Sequence, residues 1–411
     1  MKEDRLVKID IIGLLISFSY ALDCVESELI HVTTGHAKRV AYMSICIAQE
    51  MGISGNAIQD LAACALMHDN ALTQYIAEEY HNEPFIASTK QPPRRIGLHC
   101  IYGERNMRKY PFHTDMTNVI LYHHEKADGT GPFEKKWNEV HLFARIIHMC
   151  DVLDGFFQAD NYAEHVWENA KDFVKQHENT WFDSECVAAL QRVAKEKYVG
   201  LLESGEFTNQ LWEMLPRQKE EYSFEVLKDL TDIFAGITDY KSHFTSQHSI
   251  GVAKSAYRLS LFMGMDMDTA QKMYIAGALH DIGKITIKND ILEKPDKLTE
   301  KEYDSMKDHA WYTYKMLHQV AGFEEITRWA ALHHERLDGS GYPFGYTAKD
   351  LGVQERMMAC VDIFQALTEE RPYKKGMAKE QAFAIMRDMA AQNWIDREIT
   401  EKLIDCYCTT V

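Results

Sequence analysis

The chain repeats itself, and an internal repeat fixes domain boundaries before any secondary structure is assigned. His36 and His248 lie 212 positions apart, as do His68-Asp69 and His280-Asp281. His99 and His309 lie 210 apart, as do His123-His124-Glu125 and His333-His334-Glu335, while Asp151 and Asp362 lie 211 apart. The stretch Asp128-Gly129-Thr130-Gly131-Pro132 answers Asp338-Gly339-Ser340-Gly341-Tyr342-Pro343 with one residue fewer, and Trp181-Phe182-Asp183 answers Trp394-Ile395-Asp396. Uncommon polar residues recurring in one order at nearly constant spacing are not a product of chance. The expected division is a first repeat over 9–200, a joining segment over 201–221 and a second repeat over 222–411.

Both repeats read as helical. Apolar residues recur at i, i+3 and i+4 through 250–263, 302–320 and 354–369, with Gly and Pro between these runs and little strand-like alternation. The fold class expected is all-α, each repeat a multi-helix bundle whose polar site lies among inward-facing helix positions. A composition of 46% hydrophobic and 26% charged residues supports packed cores over disorder. The formal charge of −17 argues against a polymeric nucleic acid as partner, because that needs a cationic face to release counterions. Nine scattered cysteines with no C-x-x-C point to a reducing compartment. No apolar run reaches the roughly 20 residues of a membrane span, and the run at 11–16 reads as a core helix. No membrane is expected as partner, and the expected location is cytoplasmic.

The second repeat gathers His248, His280, Asp281, His309, His333, His334 and Asp362. Five imidazoles and two carboxylates suit two borderline cations, iron or manganese, rather than a thiolate zinc site. If Asp281 bridges, each metal receives four protein ligands and keeps open positions for water and substrate. Such a pair binds phosphate oxygens and lowers the pKa of water between them. In His280-Asp281-Ile282-Gly283-Lys284, Gly283 is expected to let the backbone turn so that Lys284 faces the anion. Lys284 and Arg371, nine residues beyond Asp362, are the candidate phosphate-neutralising groups.

The pentapeptide at 280–284, the string His333-His334-Glu335-Arg336-Leu337-Asp338-Gly339-Ser340-Gly341-Tyr342-Pro343, and Asp362 with Arg371-Pro372-Tyr373 closely resemble the HD-GYP subgroup of the HD metal-dependent phosphohydrolases. The resemblance spans nearly all of the second repeat. It implies an all-α fold, a two-metal iron or manganese centre, and hydrolysis of a bacterial cyclic dinucleotide. Cyclic di-GMP is the usual substrate; some relatives with a degenerate repeat ahead of an intact one act on 3′,3′-cyclic GMP-AMP. By this resemblance His248, His280, Asp281 and Asp362 would hold one metal, and Asp281, His309, His333 and His334 the other. Asp281, Lys284 and Arg371 would be catalytic, with Lys284, Arg371, Gly341, Tyr342 and Pro343 at the substrate. Some members bind a third metal through a Glu where this chain has Phe244, so two are expected. Beyond the substrate, the protein partners considered are signalling proteins or a second copy of the chain. A non-catalytic cyclic-dinucleotide receptor is the rival reading.

The first repeat keeps a full ligand set in His36, His68, Asp69, His99, His123, His124 and Asp151. It has Leu72 where Lys284 stands, Asp160 where Arg371 stands, and no Tyr in its loop. It is therefore expected to bind metal and to contribute little turnover, in a structural or a regulatory capacity.

Overall fold

The computed structural model describes residues 6–29, 35–79, 97–156, 164–193, 207–215, 219–241, 248–292, 294, 296–370 and 376–408. Arg371, Asp160 and Phe244 lie outside the described residues. Helices dominate, as an all-α chain requires. Among the described residues the strands are β1 (Val7–Ile9) and β2 (Glu220–Tyr222). No described helix is long and apolar enough to cross a membrane.

The chain forms two compact units, Ile11–Gln218 and Lys219–Val411, the second joined by Met1–Asp10. The first contains α1 (Ile11–Leu29), α2 (His36–Glu50), α3 (Asn56–Leu66), α4 (Leu72–Glu79), α5 (Gly97–Met107), α6 (Leu142–Phe156), α7 (Glu164–Gln176), α8 (Ser184–Arg192) and α9 (Phe207–Met214). The second contains α10 (Phe224–Lys241), α11 (His248–Phe262), α12 (Met267–Leu279), α13 (Asn289–Leu292), α14 (Glu300–Leu317), α15 (Glu324–Ala331), α16 (Val353–Thr368), α17 (Lys379–Ala391) and α18 (Arg397–Cys408). Within the expected joining segment, α9 belongs to the first unit. Its Leu211 is fully buried and its Phe207 ring lies 5.6 Å from that of Tyr42. At the other end of the chain, β1 pairs antiparallel with β2, and the Asp10 N–H donates to the Ala321 carbonyl.

The matched tails have a local cause. Asp183 caps α8 by accepting the Glu185 and Cys186 N–H groups, and Asp396 accepts the Ile399 N–H at the start of α18. Each cap is held by an arginine from the preceding ligand-bearing helix: Arg145 on Asp183 at 2.8 Å and Arg356 on Asp396 at 3.0 Å. Elsewhere Thr299 and Glu302 form a capping box that starts α14, and Asp266 accepts the Thr269 N–H to start α12.

Gly283 differs from its expected role. Its φ lies outside the left-handed region, and residues 282–286 form a 3-10 turn. The requirement is close approach to α14: a Cβ at Gly283 would stand 2.0 Å from the His309 carbonyl oxygen and 2.7 Å from the Thr313 nitrogen. The Gly283 N–H donates to Thr313 Oγ1, which donates to the His280 carbonyl. Gly283→Ala must push this turn off α14 and is expected to cost about 1–3 kcal/mol. Denaturant unfolding of the full chain, with hydrogen exchange read across α14, checks this; wild-type stability and protection there would contradict it.

Candidate metal centre

In the second unit the ligand candidates stand at helix ends and on inward faces. His248 opens α11, His280-Asp281 follow α12, His309 lies within α14, His333-His334 follow α15 and Asp362 lies within α16. Three imidazoles are fixed in one way: Nδ1–H donates to the carbonyl three residues earlier, His280 to Gly277 at 2.8 Å, His309 to Met306 at 2.6 Å and His333 to Ala330 at 2.6 Å. A carbonyl only accepts, so the proton sits on Nδ1 and the Nε2 lone pair faces the site. The buried Nε2 atoms of His280, His309 and His333 have no hydrogen-bond partner among the described residues, and neither has Asp281 Oδ1.

The two oxygens of Asp281 face different imidazoles. Oδ2 lies 3.2 Å from His280 Nε2 and 3.8 Å from His248 Nε2, while Oδ1 lies 3.5 Å from His309 Nε2 and 3.8 Å from His333 Nε2. Asp362 Oδ1 lies 3.3 Å from His248 Nε2 and 3.6 Å from His280 Nε2. The His334 ring centre is 4.0 Å from that of His333 and 5.0 Å from that of His309. Donors sharing a cation at about 2.0–2.2 Å stand roughly 3–4 Å apart. The set resolves into two groups, His248 with His280 and Asp281, and His309 with His333 and His334.

Electrostatics favour cations here. Burial pushes the Asp281 carboxyl up, but His280 and Lys284 outweigh it and hold the group well below the usual carboxylate range. Burial also opposes ionisation of Asp362, which His248 and His280 overcome. Burial would lower His280, yet Asp281 and Asp362 carry it up to about 10, whereas burial brings His309 down to about 4 and His333 to about 3. The paired carboxylates thus demand positive charge beside His280, and a metal cation meets that demand with the imidazole neutral. Unpartnered buried nitrogens, shared-donor spacing and two ionised carboxylates together fit a metal pair.

A cavity of about 230 Å³ opens on this cluster, lined in part by His248, Asp281, Lys284, His309, His334 and Tyr342. Lys284 Nζ donates to Asp281 Oδ2 at 2.5 Å. Of the other substrate-side candidates, Tyr342 stacks obliquely 4.7 Å from His334, and Gly341 and Pro343 shape the loop behind it. A Cβ at Gly341 would stand 2.3 Å from the Arg336 nitrogen, so the loop folds directly onto the turn that carries His334. Glu335 anchors it by accepting the N–H groups of Phe344 and Tyr346.

The first unit rebuilds most of this. His68 donates from Nδ1 to Ala65 at 2.9 Å and His123 to Ile120 at 2.6 Å, while Glu125 accepts the Phe133 and Lys135 N–H groups. Asp69 Oδ1 lies 3.3 Å from His99 Nε2 and 3.6 Å from His123 Nε2, its Oδ2 lies 3.5 Å from His68 Nε2, and Asp151 Oδ1 lies 3.4 Å from His36 Nε2. His124 completes the cluster, with Nδ1 3.7 Å from Asp151 Oδ2. Leu72, at the place of Lys284, is buried and brings no charge.

Two carboxylates that hold candidate ligand imidazoles have no signal in the internal repeat. Glu369 accepts His248 Nδ1–H at 2.8 Å, and Asp154 accepts His36 Nδ1–H at 2.8 Å. The available signal was helical spacing: Asp154 follows Asp151 by one turn and Glu369 follows Asp362 by two, so each shares a face with its ligand candidate. Such carboxylates orient the imidazole and raise its basicity toward a metal.

The HD domain family model matches residues 23–186 and again 234–399. A 3′3′-cGAMP-specific phosphodiesterase of Vibrio cholerae serotype O1 is 28% identical over 394 residues, 93% of this chain and 89% of that protein. A cyclic di-GMP phosphodiesterase of Thermotoga maritima is 33% identical over 175 residues, 42% of this chain and 46% of its own length. A crystal structure of a cyclic GMP-AMP-specific phosphodiesterase of Vibrio cholerae shares the fold with a TM-score of 0.67 at 24% identity, covering 98% of this chain and 99% of that one. Matched twice and over most of its length, the chain belongs to the HD-domain family, as a tandem whose second copy carries the HD-GYP string.

Proposed function

We propose that this protein is a metal-dependent phosphodiesterase that hydrolyses a 3′,3′-linked cyclic dinucleotide in its second repeat, with 3′,3′-cyclic GMP-AMP preferred over cyclic di-GMP. The observation that carries the reading is Asp281, whose two oxygens face two different imidazole groups at the floor of a cavity. The preference for the mixed dinucleotide draws on likeness along 93% of the chain to a cGAMP-specific enzyme, where the cyclic di-GMP enzyme matches 42%. This reverses the order suggested by the usual substrate of the HD-GYP subgroup.

His248, His280, Asp281 and Asp362 would hold one cation and Asp281, His309, His333 and His334 the other, iron or manganese by their nitrogen-and-oxygen character. Bound there, the pair supplies Lewis acidity toward phosphate oxygens and acidifies water. The chain's own residues do the rest. Lys284, kept charged by Asp281 against the cost of burial, presents an ammonium at the cavity wall where negative charge develops on phosphate. Tyr342 closes the cavity above His334, and the loop pinned by Glu335 keeps it there. Glu369 holds the His248 ring in position. None of the nine cysteines is in a disulfide, which suits a reducing compartment.

A receptor would need neither a bridging carboxylate nor a lysine aimed into the same cavity. Purified protein supplied with iron(II) or manganese(II) is expected to turn over both dinucleotides, the mixed one faster. Binding of either without any turnover would favour the receptor, and a faster cyclic di-GMP reaction would reverse the stated preference.

Asp281→Ala is expected to abolish hydrolysis and strip the second repeat of metal. Lys284→Ala should keep its metal and lose about 10²–10³ in kcat, the usual cost of one transition-state charge partner. Metal analysis beside steady-state kinetics separates the two, and full turnover by Asp281→Ala would refute the site. Glu369→Ala should weaken metal binding by about 10–100-fold, with activity restored by added metal. An unchanged metal titration would remove Glu369 from the account.

A further inference from the structure

One donor in the first repeat has no counterpart in the second. Cys100 follows His99 on α5, and the residue that follows His309 on α14 is Ala310; both are fully buried. Cys100 Sγ lies 3.5 Å from His99 Nε2. That sulfur and one nitrogen each from His99, His123 and His124 all lie within 4.8 Å of one another. A tetrahedral zinc ion, with Zn–S about 2.3 Å and Zn–N about 2.0–2.1 Å, sets its sulfur and nitrogen donors about 3.6 Å apart. The Cys100–His99 separation already has that length, and the remaining donors lie close enough to draw in around one ion. His123 is fully buried, and its Nε2, turned inward by the bond from Nδ1 to Ile120, has no hydrogen-bond partner among the described residues.

We propose that the first repeat holds a zinc ion through His99, Cys100, His123 and His124, in a closed site that is structural rather than hydrolytic. Three imidazoles and a thiolate fill a tetrahedron, with Asp69 Oδ1, 3.3 Å from His99 Nε2 and 3.6 Å from His123 Nε2, left as a neighbouring carboxylate whose charge the cation offsets. Zinc sites filled by protein donors leave no position for water or substrate. A thiolate also shifts selectivity from manganese toward zinc. The thiol proton leaves to solvent on ligation. Access agrees with a closed site: the cavity of about 740 Å³ beside this cluster is lined by His124 but by no other member of it. The site rests on first-repeat residues alone, so it stands or falls separately from the hydrolytic reading of the second repeat.

Cobalt(II) is the probe, added to full-length metal-free protein and then displaced by zinc. Thiolate ligation gives a near-ultraviolet sulfur-to-cobalt charge-transfer band, with the intense visible bands of a tetrahedral ion. Both are expected in wild type and in Asp281→Ala, and both should disappear in Cys100→Ala and Cys100→Ser. In the zinc form, X-ray absorption of Asp281→Ala should show one sulfur at about 2.3 Å. Absence of the band in folded, cobalt-loaded wild type, or its persistence in either Cys100 variant, overturns the proposal. Should both variants fail to fold, the zinc spectrum of Asp281→Ala decides, and a shell of nitrogen and oxygen alone overturns it. A protein that shows the sulfur signature yet never cleaves a cyclic dinucleotide would sink the functional reading and leave the zinc site in place.

Discussion

The site depends on one hydrogen bond made five times: an imidazole Nδ1–H donating to the carbonyl three residues back, at His68, His123, His280, His309 and His333. Where the histidine follows a helix, as His68 follows α3 and His280 follows α12, that carbonyl belongs to the last turn and lacks an intrahelical donor. The same bond therefore satisfies the helix end and aims Nε2 inward. It also makes the ligand set rigid, because rotating the ring toward another partner would abandon a buried carbonyl at roughly 1–3 kcal/mol. A chain that keeps these helix ends keeps the ligand geometry with them. This accounts for the close copy of the arrangement in the first repeat, even though Lys284 and Tyr342 have no counterpart there.

The loop after each histidine pair follows the same logic. Glu335 and Glu125 each spend both carboxylate oxygens on backbone N–H groups of the following loop, and Asp338 and Asp128 each accept from the residue two ahead. The string that marks the second repeat so strongly is, for the most part, a set of loop-shaping residues. Beyond the histidine pair, Tyr342 is the member that reaches the cavity. The first repeat lacks that one residue, so its anchoring is intact while the wall above the histidine pair is missing.

Residues that must be of one chemical type at one place are readable from sequence. The seven candidate ligand positions of each repeat recur at nearly constant spacing, set by helix ends and inward helix faces, and the all-α class follows from helical periodicity. Residues whose task can be done from more than one position are not readable by self-comparison. The carboxylate that orients the first imidazole sits three residues after Asp151 in one repeat and seven after Asp362 in the other, so Asp154 and Glu369 do not align. Gly283 was legible as a required glycine, but its cause is the backbone of α14, which only the packing reveals. The three-residue strand β1 carries no periodic signal, and its pairing with β2 is set by the hydrogen-bond ladder and the buried Ile9.

The two repeats also differ in which cation is paired with a carboxylate at the site. In the first, Arg39 forms a bidentate pair with Asp154 at 2.6 and 2.8 Å behind His36, and its side chain is buried. At the corresponding positions the second repeat has Gly251 facing Gln365, leaving the orienting task to Glu369. Its own cation, Lys284, lies in front, on Asp281 and at the cavity wall. A guanidinium locked to a buried carboxylate fixes a ligand and cannot meet a substrate phosphate, and Leu72 offers nothing in its place. An ammonium beside Asp281 is placed to meet one, because both Lys284 and Asp281 line the cavity. The residues that would hold metal are thus distinct from the one placed to handle phosphate: the first repeat keeps counterparts of the former, and its buried Arg39 lies behind His36 and not on a site carboxylate at a cavity wall.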